Sequence, residues 1–197
     1  MKISGEATIK APVEKVWDAL LDPAVLVRTI PGCERLETTG ENTYAMTVTA
    51  GVAAIKGTYA GTCELSDLEP HESLVLKAQG AGAPGTIGAD VLVRFSGAGD
   101  TTTLTYDADA IVGGMIGGVG QRMLGSVSKR MAGEFFSNVE QVLIGIAPVV
   151  PTETTTPGVF QRPVPQEQDQ VKAMLIGAGL MLAGVLVGAA IGRRTRG

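Results

Sequence analysis

Residues able to do chemistry are sparse in this chain of 197 residues, and their spacing excludes most reaction types. His71 is the single histidine and sits in "LEPHES", a turn between two strand-like runs, where it reads as a solvated loop residue. One histidine away from any GxSxG stretch cannot build a Ser-His-Asp arrangement. Cys33 and Cys63 form no CxxC pair, and no HxxE or HExxH spacing occurs, which argues against a metal site. The two thiols lie far apart and suit a reducing compartment rather than a disulfide framework. Asp107 and Asp109 alternate along one strand-like run and read as solubilising charges on its wet face. Gly113, Gly114, Gly117, Gly118 and Gly120 fall within eight positions, yet no GK[ST] follows and no βαβ unit surrounds them, so they are not a phosphate loop. The chain reads as a non-enzyme with no covalent cofactor.

The elements that would position a binding site are clearer. Residues 1–146 carry 11 Lys and Arg against 17 Asp and Glu, a net of −6 that argues against a nucleic-acid surface. "KISGEATIK" reads as a strand, "APVEKVWDALLD" as a helix entered through Pro12, and "DPAVLVRTIPGC" as a short second helix stopped by Pro31. From Glu34 to Val112 the pattern has period two, broken at Gly40-Glu41-Asn42, Glu69-Pro70 and Gly99-Asp100, which gives about six antiparallel strands. Tyr44, Met46, Val48, Tyr59, Cys63, Leu65, Leu74, Leu76, Ile87, Val91, Val93, Phe95, Leu104 and Tyr106 share the covered face. Ile116, Val119, Met123, Val127, Met131, Phe135, Val139 and Val142 recur every three or four residues and predict one long amphipathic helix over that face. Each glycine in a helix costs about 1 kcal/mol relative to alanine, so the glycine-rich opening reads either as a loose start packed closely on the sheet or as a soft lid at one end of a cavity.

Two further segments differ in composition. Residues 147–171 hold five prolines and read as a flexible linker, spanning roughly 70 Å if fully extended. Residues 172–197 hold "AMLIGAGLMLAGVLVGAAIG", twenty apolar residues at 173–192, close to the minimum for crossing a bilayer about 30 Å thick. Gly184, Gly188 and Gly192 form a face that would permit pairing of two copies. Arg193, Arg194 and Arg196 conflict with export under the positive-inside rule, so spanning and surface-lying arrangements both stay open. "MKISGEATIK" has no apolar signal region, which places the body on the cytoplasmic side of the membrane.

Three stretches carry a resemblance. "APVEKVWDALLDPAVLVRTIPGCERLE", "IKGTYAGTCELSDLEP" and "GGVGQRMLGSVSKRMAGEFFSNVEQVL" resemble, in order and spacing, the CoxG family of carbon monoxide dehydrogenase proteins. The element order resembles the helix-grip fold of the START/Bet v 1-like superfamily, an α+β architecture in which a curved antiparallel sheet wraps a long C-terminal helix. That resemblance implies an apolar cavity inside residues 1–146. It also implies an accessory role beside a molybdenum-containing CO dehydrogenase at the membrane.

On this footing the expected ligand-binding residues are Tyr44, Met46, Val48, Tyr59, Leu76, Ile87, Val91, Val93, Tyr106, Met115, Ile116, Val119, Arg122, Met123, Val127 and Met131. Tyr tips or Arg122 would meet a quinone carbonyl, and the flexible methionines would fit an irregular isoprenoid chain. Two readings follow. In the first, a membrane-tethered carrier takes menaquinone or ubiquinone from the lipid pool and presents it to the dehydrogenase. In the second, a ligand-free adaptor anchors that enzyme to the membrane. A START-like enzyme is a third reading, weakened by the missing acid/base cluster.

Overall fold

A computed structural model of the chain describes residues 1–145, 152–153 and 156–162. These belong to a unit over Met1–Pro163; the remainder, Val164–Gly197, forms a second unit. The apolar segment 173–192, its glycine face and its arginines lie outside the described residues. Among the described residues no helix is long and apolar enough to cross a membrane.

Strand β1 (Lys2–Ile9) leads into helix α1 (Val13–Leu21), which starts directly after Pro12 and buries Val16, Trp17, Ala19 and Leu20. Asp22 ends α1 and caps α2 (Pro23–Thr29), its Oδ1 accepting from Ala24 N–H at 2.8 Å with Pro23 in the first helical position. Six strands follow: β2 (Cys33–Gly40), β3 (Thr43–Val52), β4 (Ile55–Glu69), β5 (Ser73–Gly82), β6 (Gly85–Ala98) and β7 (Thr101–Gly114). They pair antiparallel in sequence order, and β1 returns to pair with β7. β4, β6 and β7 run to 14 or 15 residues, long enough for the right-handed twist to curl the sheet around α3 (Gln121–Leu143).

The long helix is not continuous with the glycine run. Gly113 and Gly114 end β7, Met115–Val119 make a 3-10 turn, and α3 begins only at Gln121. Gly114 (φ +74°) and Gly120 (φ +89°) stand in backbone conformations that L side chains rarely adopt, so they break the helix on both sides of the turn. This corrects the expectation of one uninterrupted helix from Gly113.

Another departure lies inside the expected linker. Val159–Gln161 (β9) adds antiparallel to β2, with Leu36 opposite Phe160, and a short β8 (Thr152–Glu153) pairs with β9. Val159 is buried and Phe160 packs against the core. The Arg162 guanidinium donates to the carbonyls of Arg28 at 2.9 Å and Ile30 at 3.1 Å, at the C-terminal end of α2. The ordered body thus extends past Ile146, and the edge of β2 is covered by its own chain.

The core gathers at one end of the sheet, where Ile9, Val16, Trp17, Leu36, Phe95 and Leu104 meet Phe136 and Val139 of α3. Trp17 packs edge-on against Phe95, with ring centroids 5.3 Å apart. Polar ties fix the C-terminal half of α3 there. Asn138 Nδ2 donates to the Thr29 carbonyl at 3.0 Å, and the Glu140 carboxylate accepts from Lys10 N–H at 3.1 Å.

Candidate functional site

The other half of α3 lies over space. Between it and the sheet is a cavity of about 540 Å³. Its volume falls within the range of roughly 300–1,000 Å³ usual for small-molecule sites.

Sheet register explains why the space exists. Cys63, Ala78, Ala89 and Ala110 are successive cross-strand partners on β4, β5, β6 and β7, so one row across the floor carries almost no side chain. The neighbouring row brings Gly61 opposite Gly80. Larger groups surround this strip: Met46, Val48 and Tyr59 on one side, Leu65, Leu76, Val91 and Val93 on another. Leu124, Val127, Ser128, Met131, Ala132 and Phe135 of α3 form the roof. Water in such a space would find few hydrogen-bond partners, so an apolar occupant is favoured.

Twelve of the sixteen expected ligand residues line the cavity: Tyr44, Met46, Val48, Tyr59, Leu76, Ile87, Val91, Val93, Tyr106, Ile116, Val127 and Met131. Met115, Val119, Arg122 and Met123 do not. The reason is the break at Gly120. One helix drawn through the glycine run puts Met123 on the inner stripe, whereas α3 as it starts at Gln121 turns Leu124 inward. Met115 and Met123 are 63% and 45% exposed, and Arg122 is exposed beside them. Sequence reasoning misses the alanines of the floor and Leu124, Ser128, Ala132 and Phe136 of α3. Their period-two and helical spacing is readable, but a small residue in a strand signals a void only when its cross-strand partners are small as well.

The polar groups inside are few. Tyr44 Oη donates to the Leu21 carbonyl at 3.3 Å, which fixes that hydroxyl at the α1 end of the cavity. Tyr106 lies against Phe136, with ring centroids 5.9 Å apart. Burial raises the pKa of both Tyr44 and Tyr106, so both remain protonated donors. Burial likewise pushes the Cys63 thiol up to about 11. Cys33, buried under β2 and outside the cavity, is also raised to about 11, mainly by burial and against the opposing effect of the Arg162 cation. Both cysteines are free.

The carboxylates noted in the sequence lie elsewhere. Asp107 pairs with Arg94 at 3.2 Å on the outer face, with both side chains more than half exposed, and Asp109 sits 3.7 Å from the N-terminal ammonium. His71 occupies an exposed turn at φ +65°, its ring edge-on to Trp17 with centroids 5.9 Å apart. None of these groups faces the cavity.

Comparison with known proteins agrees with this geometry. Residues 5–144 match the carbon monoxide dehydrogenase family described as CoxG. The chain belongs to the CoxG family. A conserved protein from Geobacillus kaustophilus is 35% identical, with a TM-score of 0.71 over 74% of this chain and 96% of that one. A START superfamily protein from Mycobacterium smegmatis superposes with a TM-score of 0.58 at 14% identity, over 74% and 99% of the two chains. The Zhui aromatase/cyclase from Streptomyces sp. R1128 does so with a TM-score of 0.56 at 17% identity, over 73% and 93%. At such identities the last two show the helix-grip fold alone. No curated protein matches the sequence.

Proposed function

We propose that this CoxG-family chain is a carrier for a respiratory quinone, menaquinone or ubiquinone, and that it presents the quinone to a molybdenum-containing CO dehydrogenase. The cavity supports this reading most directly: about 540 Å³ over a floor of alanine and glycine, roofed by the half of α3 that is not tied down. An isoprenoid chain suits it because binding needs only apolar contact, worth roughly 25 cal/mol per Å² removed from water. A quinone ring needs one or two donors at its carbonyls, and the protonated hydroxyls of Tyr44, Tyr59 or Tyr106 supply that chemistry from the wall.

Cys63 bears on which ligands the cavity tolerates. Quinones react with thiolates, and a cysteine held at a pKa of about 11 is thiolate in only about one molecule in ten thousand at neutral pH. Burial therefore leaves the thiol beside an electrophilic ligand without consuming it. The chain contributes binding and orientation, while the electrons come from the partner's cofactors.

Solvent extraction and mass analysis of the purified full-length chain tests the carrier reading. A prenyl quinone at close to one per chain is the expected result. A chain that carries no quinone, and takes none up from added menaquinone or ubiquinone, would leave the adaptor reading in its place.

A further inference from the structure

The carboxylates of the body are unevenly placed. None occurs between Glu41 and Glu64, between Glu72 and Asp90, or between Asp109 and Glu134. These three stretches fold to one end of the sheet. They supply the β3–β4 hairpin around Ala53, the β5–β6 hairpin around Pro84, and the 3-10 turn with the start of α3. The three are in contact: Ile116 N–H donates to the Pro84 carbonyl at 3.2 Å, Gly85 pairs with Gly114, and Gly57 lies directly beneath the Pro84 ring. In a body of net charge −6 this end carries Lys56 and Arg122, with Lys129 and Arg130 further along α3, and no acid.

The same end exposes apolar side chains. Ile111, Met115, Met123 and Ile87 are 79%, 63%, 45% and 38% exposed, the large hydrophobic residues left open there. The cavity also reaches it, since Val52, Ile87, Val112 and Ile116 line both the cavity and this end. Finally, β9 runs antiparallel to β2, so the chain arrives at Arg162 beside Glu34 heading toward the side where β3 runs into its hairpin. Ten residues separate Arg162 from Lys172, a reach of at most about 35 Å.

We infer that this end of the fold docks on the surface of a bilayer rich in anionic lipid, so that the cavity opens against the membrane for ligand exchange. The inference rests on the carrier reading and says where loading takes place. Cationic charge without carboxylates matches an anionic surface, and each Lys or Arg near such a surface strengthens docking about fivefold. Met115, Met123 and Ile111 enter the interfacial layer, while the glycines around the 3-10 turn let it shift as the ligand passes. A protein partner would be expected to meet a surface with fixed polar groups to pair, and this end offers two cations among small and apolar residues.

The test uses the full-length chain with Met115→Trp or, at the opposite end of the sheet, Asp100→Trp. The native Trp17 is buried and supplies a constant background. Emission is followed on phosphatidylglycerol vesicles containing lipids brominated in their acyl chains. The expected result is strong quenching of Met115→Trp with little of Asp100→Trp. Adding Lys56→Gln and Arg122→Gln should weaken docking about fivefold each. Equal quenching of the two tryptophans, or quenching on phosphatidylcholine as strong as on phosphatidylglycerol, would overturn the inference. A chain that docks and yet extracts no quinone would sink the carrier reading alone, and one that binds quinone without docking would sink this inference alone.

Discussion

The ring of Tyr106 lies across the bare Cα of Gly5, its cross-strand partner on β1, so closely that any side chain at Gly5 would overlap the tyrosine hydroxyl. That approach holds the ring against Phe136 and sets one wall of the cavity. Gly5→Ala is therefore expected to cost about 1–3 kcal/mol by overpacking, although alanine is otherwise the better strand residue. In a Tyr106→Ala background the same change should be neutral or stabilising. Denaturant unfolding of the four chains measures the coupling, and additive effects would show that Gly5 does not set the position of Tyr106.

Stability should fall at alkaline pH more steeply than a surface of this charge would produce. Burial raises Cys33 and Cys63 from 9.0 to about 11, so between those values the unfolded chain has released protons that the folded chain still holds. The folded state is fully favoured by these groups below about pH 9 and loses that advantage as pH rises toward 11. Each thiol is worth about 2 kcal/mol over the interval, an order-of-magnitude figure. Urea unfolding at a series of pH values checks this. Cys33→Ala and Cys63→Ala should flatten the profile, and an unchanged profile would remove the thiols as its cause.

Strand β9 is expected to stabilise the body although it lies beyond the helix that completes the cavity. Val159→Asp places a charge among buried apolar groups, and Arg162→Ala removes two hydrogen bonds to the end of α2. Costs of about 3 and about 1 kcal/mol are expected. For a body of this size they lower Tm by about 6–12 °C and about 2–4 °C. Unchanged melting of both variants in the full-length chain would mean that the β2 edge gains nothing from its cover.

Much of this architecture is legible in the sequence because period and burial coincide. Tyr59, Cys63 and Leu65, or Val91, Val93 and Phe95, could sit together only on the covered face of a strand, and register places them there. The start of α3 is less legible. Ile116, Val119 and Met123 keep helical spacing through a stretch where Gly114 and Gly120 reset the chain direction, and spacing alone does not carry the sign of φ. β9 is hidden for another reason. Its hydrogen bonds come from an edge more than 120 residues away, and "GVFQR" between prolines has no period of its own to announce it. The cavity floor is present as Ala78, Ala89 and Ala110, but that they stand in one row follows only from the register of four strands.

That row provides the most direct test of the carrier function. Ala78→Phe with Ala89→Phe would fill the floor from the middle while leaving the outer face, Lys56 and Arg122 unchanged. The measurement is quinone reduction by the CO dehydrogenase on quinone-loaded vesicles, in the presence of either the wild-type chain or the filled variant. Membrane and enzyme association are followed by co-sedimentation. The filled variant is expected to sediment with vesicles and enzyme as the wild type does, while quinone reduction falls at least tenfold. Full quinone reduction with the cavity filled would contradict the carrier function, and would make this chain an anchor that carries nothing.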